Sequence, residues 1–416
     1  MLVSHGPWWW IRVLPPGAVV TVDEYSIVEP AVAAEMAIDR SMSVFCPVPT
    51  TQSSGLIRVA IRPMIAAADR AAARATAGRR DGYDRRVTDP SAPGRSNLPR
   101  VAILDGPTPL QPMPRLTEAL GGRAELWIKR EDLGPITFSG NKLRNLEFLL
   151  GAALDEGADT IVTSGRRWSN HCRLTAAAGR RLGLDVHLVI SGPRVEASQN
   201  LGLIELFGGT VHQAETDGRL EREGMVDAVA TDLRARGRKV TVIPVGGSGA
   251  TGAWGQVLAA LEVADQGAAR GFAPDAIVLP SASGGTQAGL VVGTAMWPRP
   301  ARVIGVLAAR PEAELRPVIE RLVLELAALA EIDAPEAIEL DESQLGAGYG
   351  RLTAASDEAT VLLTNTEGIL VDPVYTAKGL AGLIALVRAG ALDGKRVVFW
   401  HGGGLPAIFE DLGSAG

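Results

Sequence analysis

The sequence around Lys142 suggests that its side-chain amine could take part in a reaction. Only five of the 41 basic residues are lysines, so a mechanism that needs a lysine amine has few candidates. Lys142 follows the turn Ser139-Gly140-Asn141 and precedes Leu143–Glu156, which has helical spacing. A helix start disfavours a cation and lowers its pKa, and glycine lets backbone approach a ligand closely. A lowered pKa is what Schiff-base formation by a lysine requires, although a solvated surface lysine is the alternative on these residues alone.

A second segment, Ser281–Thr286 (SASGGT), joins an apolar run to a helical pattern. Glycines at a strand-to-helix turn expose consecutive N–H groups, and the helix start adds positive potential, which suits a phosphate. A simple tight turn is the alternative. No Walker lysine follows, so the segment predicts a site for a cofactor monophosphate rather than for a nucleoside triphosphate.

Two more polar segments follow apolar runs, Ser169-Asn170-His171 and Phe399–Gly404 (FWHGGG), the latter before a helix that begins at Pro406. Ser169 is also suited to an N-cap, which is compatible with a ligand role. His401 taken alone is more typical of a structural histidine. Since ligands bind at the carboxyl edge of a parallel sheet, we expect these segments to converge there around a phosphorylated cofactor.

The pattern from Leu98 onward alternates short apolar runs with longer helical segments, which predicts an α/β fold with parallel sheets covered on both faces. The predicted strands are 126–129, 160–163, 186–190, 240–244, 276–279, 303–306 and 397–400. The predicted helices are 143–156, 173–182, 198–207, 252–263, 287–296 and 312–329.

Composition narrows the class of protein. The formal charge of −6 argues against nucleic-acid binding, and no apolar run reaches the length of a membrane span. Cys46 and Cys172 are too few for a disulfide framework, and the five histidines lack ligand spacing, so we expect no metal site. A reducing cytoplasm is the expected location. Residues 1–97 are expected to be a poorly ordered extension, or a segment that is present because translation is taken to begin at an upstream start codon. A small regulatory or assembly module is the alternative.

Residues 98–410 resemble the D-cysteine desulfhydrase and 1-aminocyclopropane-1-carboxylate (ACC) deaminase family of fold-type II pyridoxal 5′-phosphate enzymes. The order and spacing of the shared motifs carry the resemblance. These motifs are GPTPL (106–110), WIKRED (127–132), GNK (140–142), SNH (169–171), PVGGS (244–248), SGGT (283–286), GYG (348–350), DPVYT (372–376) and GGLP (403–406).

The resemblance implies a role for each motif. Lys142 would carry the cofactor as a Schiff base and move the Cα proton, with Tyr375 as an acid/base group over the substrate. Ser169 would contact the substrate carboxylate or assist proton transfer, and Asn170 would hydrogen-bond the cofactor's phenolic oxygen. The remaining residues expected at the cofactor are Asn141, Ser283, Gly284, Gly285, Thr286, Thr376 and Gly402.

The same resemblance implies an architecture and an assembly. A large cofactor-binding domain would comprise residues 98–144 and 256–416, and residues 145–255 would form a small mobile domain. The cofactor would lie in the cleft between two parallel-sheet α/β domains, as in the tryptophan synthase β-like fold. Family members are usually homodimers.

Several positions depart from the family. Trp168 stands where the family has Gln, Gln256 replaces a tyrosine, and Gly402 replaces a threonine that would pair with the pyridine nitrogen. Trp168, His171 and Gln256 are expected on the substrate side. Thr376, where ACC deaminases have Glu, favours the desulfhydrase branch.

We therefore expect a lyase that performs α,β-elimination on a small amino acid, as D-cysteine desulfhydrase does, and releases pyruvate, ammonia and sulfide. The alternatives are β-replacement, racemisation or deamination of an unusual amino acid. A protein that binds pyridoxal phosphate without turnover is an alternative of another class.

Overall fold

The computed structural model describes residues 98–136, 138–192, 198–215 and 218–410. The predicted extension, residues 1–97, lies outside this part of the chain. Within it, ten strands form two sheets, one of six strands and one of four. The predicted α/β class is confirmed, because every strand and helix predicted between residues 126 and 400 has a counterpart at its place in the chain.

The larger sheet has the strand order β1-β2-β10-β7-β8-β9. All its pairings are parallel except that of β1 with β2. Its strands are β1 (Leu110–Pro112), β2 (Glu125–Arg130), β7 (Ala276–Ser281), β8 (Arg302–Leu307), β9 (Glu339–Asp341) and β10 (Arg396–His401).

The smaller sheet is wholly parallel and has the order β5-β4-β3-β6. Its strands are β3 (Thr160–Arg166), β4 (Asp185–Ser191), β5 (Thr210–Gln213) and β6 (Val240–Val242). All four lie within 145–255, the range expected for the small domain. The mobility of that range stays a prediction.

Ten α-helices occur in the described residues. They are α1 (Pro114–Ala119), α2 (Lys142–Asp155), α3 (Asn170–Arg181), α4 (Gln199–Leu206), α5 (Arg219–Ala235), α6 (Ala250–Ala268), α7 (Gly285–Ala295), α8 (Glu312–Ala330), α9 (Ala354–Glu367) and α10 (Thr376–Arg388). The segment after β10 is a short 3-10 helix, Leu405–Phe409, rather than the α-helix expected at Pro406. No described helix is both long and apolar enough to cross a membrane.

Both sheets are covered on both faces, which is why their strands read as apolar runs. Along β7, Ile277 and Leu279 pack with α6, α7 and α8, while Ala276 and Val278 pack with α1, α9 and α10. The smaller sheet packs one face on α2, α3 and α4 and the other on α5. The alternation follows from the two-residue period of a strand.

Close helix packing brings the start of α2 near the start of α7. Gly255 on α6 lies so near the backbone of α2 that an added Cβ would stand 2.1 Å from the carbonyl oxygen of Arg144. Gly289 on α7 is similarly tight against α6, since its added Cβ would lie 2.6 Å from the carbonyl oxygen of Ala253. Because α6 packs between α2 and α7, the Lys142 turn and the glycine-rich turn after β7 become neighbours.

Candidate active site

The Lys142 amine lies at the first residue of α2, as the sequence predicts. Its Nζ donates to Ser283 Oγ at 3.3 Å. The described ion pairs give it no carboxylate partner, and burial lowers its pKa to about 8. The predicted lowering of this pKa is confirmed in direction, and its cause is burial, which the prediction from the helix dipole did not include.

The glycine-rich turn after β7 has the geometry of an anion site. Gly284 adopts a left-handed backbone with φ 87°, and no side chain caps α7. The N–H groups of its first turn are thus left for a ligand. The cradle is narrow, since a Cβ added to Gly285 would lie 3.0 Å from Ser248 Oγ. Ser248 Oγ in turn donates to Ser283 Oγ at 2.7 Å.

Asn141 ties the lysine turn to its surroundings. Its Nδ2 donates to Thr286 Oγ1 at 2.8 Å. Its backbone N–H donates to the carbonyl of Gly402 at 3.1 Å. That carbonyl also accepts from Asn170 Nδ2 at 3.3 Å. Asn141, Asn170, Thr286 and Gly402 are thus brought together.

The convergence differs from the prediction in one respect. The motifs taken alone predicted convergence at the edge of one parallel sheet, but Asn170 follows β3 of the smaller sheet and Gly402 follows β10 of the larger one. This agrees with the cleft between two α/β domains that the resemblance implied. The site therefore contains residues that follow strands of both sheets. Ser169 caps α3 by accepting from the N–H of Cys172 at 3.2 Å, which confirms its predicted capping role, and α3 begins at Asn170 rather than at Arg173.

Tyr375 is paired with a residue that the sequence reasoning did not single out. The hydroxyl oxygens of Tyr349 and Tyr375 are 2.8 Å apart, and their rings meet edge to face with centroids 5.7 Å apart. Burial raises the pKa of both phenols, so both stay protonated. The signal for Tyr349 was its place between two glycines in GYG, a motif used for the resemblance only.

Trp168 packs against the loop that carries Tyr349. Its ring stacks on that of Tyr349 with centroids 5.8 Å apart. The Trp168 ring also lies close to Gly350, since a Cβ added to Gly350 would be 2.0 Å from Trp168 Cζ3. The guanidinium groups of Arg166 and Arg167 lie over the Tyr349 and Trp168 rings, at 4.8 and 4.3 Å. Trp168 is therefore part of the wall that holds Tyr349.

His171 does not have the free position expected of a substrate-side residue. It is buried, and its ring nitrogens lie 3.0 Å from Thr163 Oγ1 and 3.5 Å from Thr175 Oγ1. Burial, with the positive charge of Lys142, lowers its pKa to about 3. His171 is therefore a neutral residue that packs behind the lysine.

Gln256 and Thr376 are also placed behind the site rather than in it. Gln256 is fully buried and donates to the carbonyl of Asn141 at 2.8 Å and to Asn145 Oδ1 at 2.6 Å. The Thr376 hydroxyl donates to Asp372 Oδ1 at 2.6 Å inside the turn that begins α10. The expected substrate contact of Gln256 and cofactor contact of Thr376 conflict with this geometry, because both side chains are buried and their donors bind groups inside the protein.

A buried charged cluster behind α2 was missed by the sequence reasoning. Arg144 donates to Glu131 Oε2 at 2.6 Å and to Glu262 Oε2 at 2.9 Å. Lys129 pairs with Glu262 and donates to the carbonyl of Thr108 at 2.7 Å. Although burial raises the pKa of Glu262, the cations Arg144 and Lys129 lower it overall. The cluster anchors the helix that Lys142 begins.

A family model described as "Pyridoxal-phosphate dependent enzyme" matches residues 101–403 of this chain. The D-cysteine desulfhydrase of Salmonella choleraesuis is 39% identical over 321 residues, which cover 76% of this chain and 96% of the relative. The chain belongs to the pyridoxal-phosphate dependent enzymes, in the D-cysteine desulfhydrase and ACC deaminase family.

Solved structures agree with this assignment. A structure titled as an ACC deaminase homologue is 34% identical, has a TM-score of 0.70, and covers 75% of this chain and 94% of that chain. A T.th. threonine deaminase, 23% identical with a TM-score of 0.52, covers 71% of this chain and 92% of its own, and shows the fold alone. The predicted fold-type II class and pyridoxal phosphate cofactor are confirmed.

The residues of the site fit pyridoxal phosphate. An aldehyde cofactor needs an amine that can lose its proton, and Lys142 has one with a pKa of about 8. A phosphate needs unpaired N–H groups, and the uncapped start of α7 offers them beside Gly284 and Gly285. Among the described residues, no group of three or more His, Cys, Asp or Glu is placed to hold a metal ion.

Proposed function

We propose that this enzyme catalyses α,β-elimination on a small β-substituted amino acid, with D-cysteine as the first candidate substrate. The observation that carries the proposal is the Lys142 amine, poised 3.3 Å from Ser283 Oγ beside an uncapped helix start. The 39% identity to a D-cysteine desulfhydrase supports the choice of substrate. With D-cysteine and water as reactants, the products are pyruvate, ammonia and hydrogen sulfide.

Pyridoxal phosphate, when bound, supplies the electron sink that lets the substrate lose its Cα proton. Lys142 would hold the cofactor through Nζ. The N–H groups of Ser283–Thr286 would bind the phosphate, and Asn170 Nδ2 would donate to the ring oxygen. When its Nζ is not bonded to the cofactor, Lys142 would accept the Cα proton, because its pKa of about 8 leaves part of the amine neutral near pH 7.

Protonated phenols suit the departure of the leaving group. Tyr375 has a raised pKa because of its burial, so its hydroxyl keeps a proton that it can donate to a departing thiolate. Tyr349, 2.8 Å away, would fix the direction of that hydroxyl. Ser169 and the start of α3 would bind the substrate carboxylate, since a helix start favours an anion.

The test is turnover of D- and L-cysteine by the purified full chain loaded with pyridoxal phosphate, with pyruvate and sulfide measured together. We expect equal amounts of both products from D-cysteine and none from Lys142→Met. Lys395→Met, which changes an exposed lysine, is the matched control and should keep full activity.

Other outcomes of this assay would indicate a different function. Loss of optical rotation without pyruvate would indicate racemisation, and transfer of an added thiol to the substrate would indicate β-replacement. Ammonia from amino acids that carry no leaving group on Cβ would indicate deamination. A chain that binds the cofactor and changes no amino acid would contradict the proposal and favour binding without turnover.

We also propose that the enzyme works in the cytoplasm as a homodimer. Family resemblance supports the dimer. Cys172, buried and unpaired, fits a reducing compartment. Light scattering on the purified full chain would test the dimer, with a mass of twice 43.6 kDa expected and a monomer mass against it.

A further inference from the structure

Lys378 is a buried lysine whose partners are carbonyl groups. It lies on α10, three residues after Tyr375, and its side chain is fully buried. Its Nζ donates to the carbonyl oxygens of Leu345 at 2.7 Å and of Gly348 at 2.8 Å. The described ion pairs include no carboxylate for it, and burial lowers its pKa to about 8. Burying an ammonium group without a counter-ion costs free energy, so its burial at this place calls for a physical reason.

The reason lies in the loop that Lys378 binds. Gly346, Gly348 and Gly350 all have left-handed backbone, with φ of 59°, 110° and 68°. Since glycine has little preference for one backbone region, such a loop has many alternatives to this conformation. Its internal hydrogen bonds are few and include Gly348 N–H to the carbonyl of Leu345 at 3.2 Å. The ammonium group binds the loop at two carbonyls and fixes it to α10.

Tyr349 is held by contacts on two sides, from α10 and from Trp168. It follows Gly348, whose carbonyl binds Lys378, and its hydroxyl meets that of Tyr375 on the same helix start as Lys378. On the other side, Trp168 stacks on the Tyr349 ring. Losing the ammonium group would therefore release the loop on the side where the two phenols meet.

We propose that Lys378 is a positioning residue whose ammonium group acts as a built-in cation for the Tyr349 loop. It binds two carbonyl oxygens and thereby holds Tyr349 against Tyr375. The inference rests on the proposed function, in which Tyr375 donates a proton to the leaving group. Lys378 itself touches neither tyrosine hydroxyl and acts only through the loop.

The test compares Lys378→Met, which fills the space without charge, with Lys378→Ala, which leaves space for a small amine. We expect kcat for D-cysteine to fall about 100-fold in both variants, with a smaller change in KM. This factor is at the lower end of the rate enhancement that a positioned general acid or base contributes. Propylammonium should raise kcat of Lys378→Ala to a saturating value and leave Lys378→Met unchanged. Propanol, of equal length and no charge, should restore neither, and Lys239→Met is the exposed-lysine control.

Near-ultraviolet circular dichroism follows the Trp168–Tyr349 stack without turnover. The signal should change in Lys378→Ala and return with propylammonium. If the wild-type chain turns over no amino acid, the proposed function fails, and this spectrum still tests Lys378. Wild-type kcat and spectrum in Lys378→Met would overturn the inference. A fall in kcat that no amine restores would also overturn it, because it would mark a need for Lys378 in folding alone.

Discussion

The Lys142 amine shows how much one side chain depends on its surroundings. A lysine in water has a pKa of 10.5, and burial beside Ser283 lowers that value to about 8. The amine is then protonated below about pH 8 and neutral above it. Only the neutral form attacks an aldehyde, so this shift brings the reactive form close to physiological pH.

The shift predicts how the cofactor-free chain takes up pyridoxal phosphate at different pH. The rate of attachment, followed by visible absorbance after mixing, should rise through about pH 8 and then level off. A lysine with an ordinary pKa, such as N-acetyl-lysine amide, should continue to gain rate above pH 10. Lys142→Met should show no such attachment. A rate that still climbs beyond pH 10 in the wild type would contradict the lowered pKa.

At the scale of elements, α2 is held by the buried cluster of Glu131, Arg144, Glu262 and Lys129 rather than by apolar packing alone. Removing one partner of such a cluster leaves an uncompensated buried charge. Because Arg144 lies two residues after Lys142, damage to the cluster also reaches the helix start that presents the amine.

Glu131→Gln should lower the free energy of unfolding by about 3–5 kcal/mol, because it leaves Arg144 without its closest carboxylate. Urea unfolding measures this. Glu325→Gln on α8 is the control, since Glu325 pairs with Arg321 at the surface at 3.0 Å and should cost less than about 0.5 kcal/mol. Equal effects of the two substitutions would show that the cluster adds no more than a surface pair.

At the scale of the whole molecule, the matched part of the chain corresponds to nearly the whole length of a relative. The match to D-cysteine desulfhydrase spans 96% of that protein but 76% of this chain. The site is built from both sheets of this matched part, with Asn170 of one and Gly402 of the other joined by a hydrogen bond.

A chain shortened to residues 98–416 should therefore keep the kcat and KM of the full chain for its amino acid substrate. Steady-state assays on the two chains, prepared in parallel and loaded with cofactor, would measure this. A fall in kcat with an unchanged melting temperature would instead show that residues 1–97 contribute to the reaction.

The sequence by itself determined the fold class and the cofactor. Short apolar runs between helical segments predict parallel sheets covered on both faces, because period and burial are local properties. Lys142 and Ser283–Thr286 could be proposed as cofactor-binding residues from the sequence, because each motif places polar or glycine residues at a turn between elements. The capping role of Ser169 could be predicted for the same reason.

Only the tertiary structure decided which polar residues reach the cleft. Gln256, His171 and Thr376 look like site residues in sequence, yet Asn141, Thr163 and Asp372 bind their side chains in the interior. Tyr349 and Lys378 have hydrogen-bond partners that lie 26 and at least 30 residues away along the chain. Hydrogen bonds over such separations depend on how helices pack between two sheets, and no local pattern in the sequence encodes that packing.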